Sequence, residues 1–410
     1  MIKSHKKTIY ETLSRGPVHP FPARMAPGIA IELVAEAERP LRVLDPMMGS
    51  GTVLAIARSK GHYATGVDID PLAVLIAKVW TTAIDPTEVS KKSEEVLRRA
   101  RIIFKNMAVR NAFPTKADDE TKKFVLYWFD PYARRQLASL ATVIGRVRDG
   151  IVKDALWCAF SRLIITKQAG ASRAMDLSHS RPHRVFDRAP SKPFSKFLAA
   201  VEVVVTNCIS KTSQGRGPAP RLFEGDARAL PLKDESIDLV LTSPPYLNAI
   251  DYIRCSKFSL VWMGHSIAKL RKLRSMSVGT EIGRSQDSVA RDIESIISTL
   301  RLRPRLAPRN EAILRCFVAD MYAALCETSR VLVPGGTAVY IVGENTIRGT
   351  YVRNAAIVTA VAELAGLQMT DRRSRMLPAN RRYLPPPSRR GGAASLDARI
   401  RREVILAFRR

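Results

Sequence analysis

Six short apolar runs punctuate the chain: Arg42-Val43-Leu44, residues 64–67, Arg221-Leu222-Phe223, residues 237–241, 337–342 and 403–408. Runs of that length predict buried strands. Between most of them apolar residues recur at helical spacing, at 29–37, 53–57, 258–263, 312–328 and 355–364. Strands separated by helices predict an α/β fold, doubly wound around one mostly parallel sheet with right-handed crossovers. Such crossovers bring the loops that follow the parallel strands to one carboxyl edge, where open sheets bind ligands.

Two stretches interrupt this alternation. Helical spacing at 72–80, 89–107, 134–152 and 153–166 fills the interval between the second and third strands, which is too long for an ordinary connection. A polar, arginine- and serine-rich loop follows at 168–193, and a second basic stretch spans 265–312. The chain therefore divides into an arm and first half of the core (1–80), a mostly helical insert (81–215), and a second half of the core (216–410) that carries the basic insert at about 265–312. No internal repeat is visible.

Chemistry gathers at the predicted strand ends. After the first strand comes Asp45-Pro46-Met47-Met48-Gly49-Ser50-Gly51-Thr52, a glycine turn that opens a helix. Glycines let a ligand approach the backbone, and a helix start favours an anionic group. No lysine follows the second glycine, so this is not a phosphate-cradling loop, and the third glycine of a dinucleotide site is missing. The second strand ends in Asp68-Ile69, an acid about 20 residues past the turn, which suits a ribose diol. The third ends in Gly225-Asp226-Ala227, where Asp226 could accept a hydrogen bond from an adenine amino group.

The fourth strand runs into Thr242-Ser243-Pro244-Pro245-Tyr246. Two prolines stop the strand and hold the backbone extended. The lip so formed offers the Ser243 hydroxyl and the Pro244 carbonyl as acceptors, with the Tyr246 ring beside them. An exocyclic amine on a flat base needs such acceptors and a face to stack on. Taken alone, the stretch also reads as a proline-ended strand with a loop tyrosine, and the glycine turn as a nucleotide-free α/β turn.

Net charge changes the picture. The 410 residues are 46% hydrophobic and 25% charged, the balance of a soluble globular protein, but carry a formal charge of +28. That points to a polyanion, most simply nucleic acid. Arg173, Arg181 and Arg184 in the first insert and Lys269, Arg271, Lys272 and Arg274 in the second are the candidate contacts, alongside an arginine-rich tail. Five scattered cysteines, never in C-x-x-C spacing, predict a reducing cytoplasm and no zinc site. No apolar signal segment follows the basic N-terminus, and no run is long enough to span a bilayer.

Together, the Asp45–Thr52 turn, Gly66-Val67-Asp68-Ile69-Asp70, Asp226 and Thr242-Ser243-Pro244-Pro245-Tyr246 resemble the amino-methyltransferases of DNA. Phe21-Pro22-Ala23-Arg24 resembles their cofactor-side motif, and Pro334-Gly335-Gly336 the turn before the fifth strand of the class I, Rossmann-like methyltransferase fold. The resemblance covers roughly residues 20–80 and 220–345 and the last strand. Ser-Pro-Pro-Tyr looks like the cytosine-N4 branch, with the cofactor half placed first, unlike its most familiar order. The resemblance implies S-adenosylmethionine as cofactor, held by Phe21, Pro22, Asp45, Gly49, Ser50, Gly51, Thr52, Asp68, Ile69, Asp226 and Ala227. It implies Ser243, Pro244, Pro245 and Tyr246 as the catalytic lip for a cytosine flipped from double-stranded DNA, the helical insert as a target-recognition region, no metal, a nucleoid-associated cytoplasmic location and a restriction endonuclease counterpart. Competing readings are an RNA amino-methyltransferase acting on guanine N2 or adenine N6, a non-catalytic nucleic-acid-binding protein of the same fold, and a dinucleotide-dependent oxidoreductase.

Overall fold

The structure is a computed structural model that describes residues 8–410 other than 22–27, 29, 31, 33, 35–36, 149, 168, 176, 178–181, 211–216, 246, 248–251, 279–289, 303–305, 348–349 and 377–401. Its main sheet has seven strands: β1 (Arg42–Asp45), β2 (Tyr63–Asp68), β3 (Arg221–Glu224), β4 (Ile237–Thr242), β5 (Leu332–Gly343), β6 (Gln368–Met376) and β7 (Arg402–Arg409). Their order across the sheet is β3-β2-β1-β4-β5-β7-β6. The pairs β2 with β3, β1 with β4 and β4 with β5 are parallel, and β7 is antiparallel to β5 and β6. Chain order runs outward to one side from β1 and to the other from β4, so the sheet is doubly wound with its switch point at that pair.

The chain forms two compact units, residues 1–40, 48–224 and 252–274 in one and residues 41–47, 225–251 and 275–410 in the other. The first is mostly helical. It contains β2, β3 and, among its helices, α1 (Thr52–Ser59), α2 (Pro71–Thr81), α3 (Asp119–Trp128), α4 (Ile253–Leu260) and most of α5 (Ile267–Met276). Three helices of this unit start at an Asp-Pro pair: Asp70, Asp85 and Asp130 each accept the N–H two residues on at 2.9 Å. Proline suits the first helical position because its missing N–H would find no partner there, and the aspartate satisfies the next donor. Phe124, Trp128, Phe129, Phe160, Phe258 and Trp262 then interlock edge to face or tilted, with centroids 4.9–6.5 Å apart. That cluster fastens the insert helices to α4.

The second unit holds the remaining five strands with α6 (Pro308–Val331) and α7 (Asn354–Leu364). The parallel pair β1 and β4 sets Val43 opposite Leu239 and Leu44 opposite Val240. It is clamped at both ends. Arg42 forks onto Asp238 with two 3.0 Å bonds at the amino end, and the Thr242 hydroxyl donates to Asp45 Oδ1 at 2.7 Å at the carboxyl end. Every residue of β4 is buried, as a central strand covered on both faces requires. Thr328 and Tyr340 share a buried 2.8 Å hydrogen bond that docks α6 on β5.

All six predicted strands form, but β3 lies at a sheet edge and is exposed or half-buried instead of buried, and two further expectations are corrected below. Nothing in the hydrophobic pattern marks β6, an edge strand whose Gln-Met-Thr-Asp-Arg-Arg-Ser-Arg-Met stays exposed or half-exposed along its length. The pattern at 134–152 predicts one helix through Val152, but the helix that starts at Pro131 ends at Gly145 and another starts at Gly150. Glycine is a poor helix former and is placed at both ends of the break. Pro334-Gly335-Gly336 is not a turn before the fifth strand but a wide bulge within it. Pairing passes from Ile237 opposite Leu332 to Leu239 opposite Thr337, five steps on β5 against two on β4, with Gly335 at φ +74°. Helices α3, α5, Pro193–Asn207 and Ala290–Thr299 also form, all in stretches whose hydrophobic pattern names no helix. No helix among the described residues is long and apolar enough to cross a membrane.

Candidate active site

The first unit contains the glycine turn and Asp68. Gly49 (φ +50°) and Gly51 (φ +83°) take the left-handed backbone that bends the chain into α1. A Cβ on Gly51 would stand 2.9 Å from that of Ala77, so the turn packs on α2 too closely for any side chain. The Met48 N–H donates to the Val67 carbonyl at 3.0 Å, and the Gly49 N–H to Asp68 Oδ2 at 2.8 Å. Asp68 Oδ1 accepts the Asp70 N–H at 2.9 Å. The acid at the end of β2 thus fixes the glycine turn as well as its own loop. Burial pushes the Asp68 carboxyl up to about 6, against bonds from the Asp70, Gly49 and Ile69 backbone.

Asp70 is the neighbouring acid. It caps α2, and its Oδ2 accepts from the Ser256 hydroxyl of α4. Burial, and next the Asp68 charge, push it up to about 7. Ser50 and Thr52 are buried at the start of α1, and Thr52 Oγ1 has no hydrogen-bond partner among the described residues. An orphaned hydroxyl beside open helix N–H groups and a fixed carboxylate fits a ligand with both ionic and hydroxyl groups, as S-adenosylmethionine has. The buried Phe21 ring stacks near Tyr252, centroids 6.2 Å apart. Pro22 lies outside the described residues.

The second unit contains Asp45, Asp226 and the Ser243-Pro244-Pro245 stretch. Ser243 follows β4 directly, and its hydroxyl donates to the Ile341 carbonyl of β5 at 3.2 Å. With its proton committed there, the oxygen keeps its lone pairs for accepting. Pro244 is buried and Pro245 half-buried; Tyr246 lies outside the described residues. Asp45 has a structural task, since its Oδ1 takes both the Thr242 hydroxyl and the Met47 N–H, at 2.7 and 3.2 Å. Asp226, past the end of β3, is gripped by Arg228, with bonds of 3.0 Å to Oδ1 and 2.7 Å to Oδ2, and Ala227 beside it is buried.

The basic residues separate by role. Arg173 directs its guanidinium to the carbonyls of Asp187, Leu126 and Tyr127, so it braces the loop against α3. Arg184 lies over the exposed Tyr127 ring, 5.6 Å from its centroid. Arg181 lies outside the described residues. Lys269, Arg271 and Lys272 are exposed on α5 and Arg274 is half-buried, while Arg271 pairs with Glu120. The Ile267 N–H donates to Thr121 Oγ1 at 3.1 Å. Both basic stretches therefore meet on α3, which joins residues some 90 apart in the chain, from Arg173 and Arg184 to Ile267 and Arg271. Cys158 and Cys208 are poor nucleophiles, since burial pushes both thiols up, Cys208 to about 12. Among the described residues no group of His, Cys, Asp and Glu could hold a metal ion.

The sequence marks Asp70 only as part of the Gly66–Asp70 motif, without a task, and nothing in it singles out Ser256 or Arg228. The Asp70-Pro71 helix start was the available signal for the first; only the fold brings Ser256 to it.

No family model matches the chain. Among curated proteins it is similar to the type II methyltransferase M.MvaI of Kocuria varians, 22% identical over 357 residues, covering 80% of this chain and 77% of the relative. It is also similar to M.BsoBI of Geobacillus stearothermophilus, 21% identical over 65% of this chain and 55% of the relative. M.MjaII of Methanocaldococcus jannaschii is 22% identical over 63% of each. A solved S-adenosylmethionine-dependent methyltransferase from Methanosarcina mazei aligns over 92% of this chain and 96% of its own, at 9% identity and a TM-score of 0.31. In sequence, then, the chain is similar to type II DNA methyltransferases, and its sheet is mostly parallel and doubly wound.

Proposed function

We propose that the protein transfers the methyl group of S-adenosylmethionine to N4 of cytosine in double-stranded DNA. The observation that carries this reading is Ser243, whose hydroxyl leaves the end of β4 with its proton given to Ile341 and its lone pairs available. A cytosine amine is a poor nucleophile because its lone pair is delocalised into the ring. Acceptors at Ser243 Oγ and the Pro244 carbonyl favour a pyramidal nitrogen whose lone pair can attack. The bound cofactor supplies an electrophilic methyl group on a sulfonium. Asp68 serves as acceptor for the ribose hydroxyls, Asp226 for the adenine amine, and the open N–H groups of α1 with Thr52 for the methionine end. Tyr246 stacks on a base flipped out of the duplex. The cations of α5 and Arg184, gathered around α3, contact the DNA backbone, and the helical insert reads the target. The relatives are type II methyltransferases, so a restriction endonuclease of the same specificity is the expected counterpart.

Transfer of labelled methyl groups to duplex DNA and, in parallel, to total RNA tests the substrate class. Label in DNA alone supports the proposal. Label in RNA alone moves the protein to an RNA amino-methyltransferase.

A further inference from the structure

Arg228, two residues past Asp226, is the hub of a charged network in the second unit. Its backbone N–H and Nε donate to Asp226 Oδ1 at 2.9 and 3.0 Å, and one Nη donates to Asp226 Oδ2 at 2.7 Å. Nε also leans on Oδ2 at 3.2 Å. The other Nη binds the carboxylate of Asp320 on α6, which is buried, and the first Nη also reaches the Met276 carbonyl. Burial works against the guanidinium charge, but the bonds to Asp226 and the charges of Asp320 and Asp226 outweigh it and raise the pKa above the ordinary arginine value.

The surrounding loop is held to α6 a second time. Arg330 binds Glu327, Asp234 and the carbonyls of Leu230 and Leu232, and the Leu230 N–H donates to Glu327 Oε2 at 2.7 Å. The loop from Leu230 to Asp234, just beyond, is therefore fixed without Arg228. What Arg228 adds is control of one carboxylate. A two-point guanidinium fork sets the plane of a carboxylate as well as its place. A carboxylate has about four lone-pair sites, and here three N–H groups bind it, the single Nε proton shared between Oδ1 and Oδ2, so the carboxylate keeps room for one more donor.

We infer that Arg228 is a cofactor-positioning residue: it presets Asp226 so that its spare acceptor meets the 6-amino group of the cofactor adenine. This rests on the assignment of Asp226 to the adenine. An ion pair that only holds the loop would affect every ligand equally, whereas a preset acceptor affects only a ligand that has the amine.

Titration calorimetry with two ligands tests it, S-adenosylhomocysteine and its analogue lacking only the 6-amino group. The wild-type protein is expected to prefer the adenine form by roughly tenfold or more, as for one hydrogen bond to a charged group. Asp226→Ala should erase that preference. Arg228→Gln should shrink it severalfold by weakening the adenine form alone. Arg228→Gln with Asp320→Asn keeps the charge balance and serves if the single variant does not fold. An equal loss for both ligands, or none for either, in the Arg228 variants overturns the role of Arg228 while leaving Asp226 in place. A preference that survives Asp226→Ala removes both assignments.

Discussion

Asp68→Asn is the most informative single change on the cofactor side. In the native protein the Asp68 carboxylate accepts the Gly49 N–H at 2.8 Å and the Asp70 N–H at 2.9 Å. An asparagine keeps one acceptor oxygen and turns an amide NH2 toward the other donor. The variant loses the charge and one backbone bond, and the glycine turn loosens against β2. If the carboxylate also accepts from the ribose hydroxyls, cofactor binding loses a hydrogen bond to a charged group, about 1.5–3 kcal/mol, or roughly 10- to 150-fold in Kd. Calorimetry with S-adenosylhomocysteine at pH 8 reads that loss. The pH dependence gives a second check. Burial raises the Asp68 pKa to about 6, so below that value the native carboxyl carries a proton and is a poorer acceptor. Affinity of the wild-type protein should hold steady above about pH 7 and fall as pH drops through about 6. The variant has no Asp68 proton to gain and should lose that step. Unchanged affinity in Asp68→Asn, or the same fall near pH 6 in both proteins, would refute the role of Asp68.

Two further predictions concern the amine side and the DNA. Ser243→Ala removes the acceptor at the reacting nitrogen and leaves β4 and both prolines in place, so single-turnover methyl transfer should slow by about 10²–10³ with cofactor and DNA affinity unchanged; full activity would exclude the hydroxyl. Neutralising Lys269, Arg271, Lys272 and Arg274 should weaken DNA binding and lower the slope of log K against log salt by up to about 0.9 for each phosphate that the variant no longer neutralises, read by fluorescence anisotropy across a salt series. An unchanged slope takes α5 off the duplex.

Most of the sheet was legible because its central strands are largely buried and read as plain apolar runs, β4 most clearly with Ile237, Leu239, Val240 and Leu241. β6 was not, because an edge strand needs no apolar face, and its Arg372, Arg373 and Arg375 look like loop. α3 was equally hidden, since only Thr121 and Val125 are buried and the rest of its surface is charged or aromatic apart from the exposed Leu126. The acids and glycines of the cofactor side stood out as motifs in the sequence, but not the task each performs. Asp45 spends one oxygen on Thr242 and Met47, and Asp68 holds the turn before it holds any ligand. Arg173 reads as a charge for DNA and proves to be a brace, because a guanidinium beside free carbonyls binds them first. The meeting of two distant basic stretches on α3 depends on tertiary packing that no local pattern encodes.

The central claim is the base that receives the methyl group, and mass spectrometry of nucleosides from DNA incubated with the protein and S-adenosylmethionine tests it most directly. The account predicts N4-methylcytosine, formed about 10²–10³ times more slowly when the protein carries Ser243→Ala. N6-methyladenine as the product, or modified RNA with unmodified DNA, would contradict it.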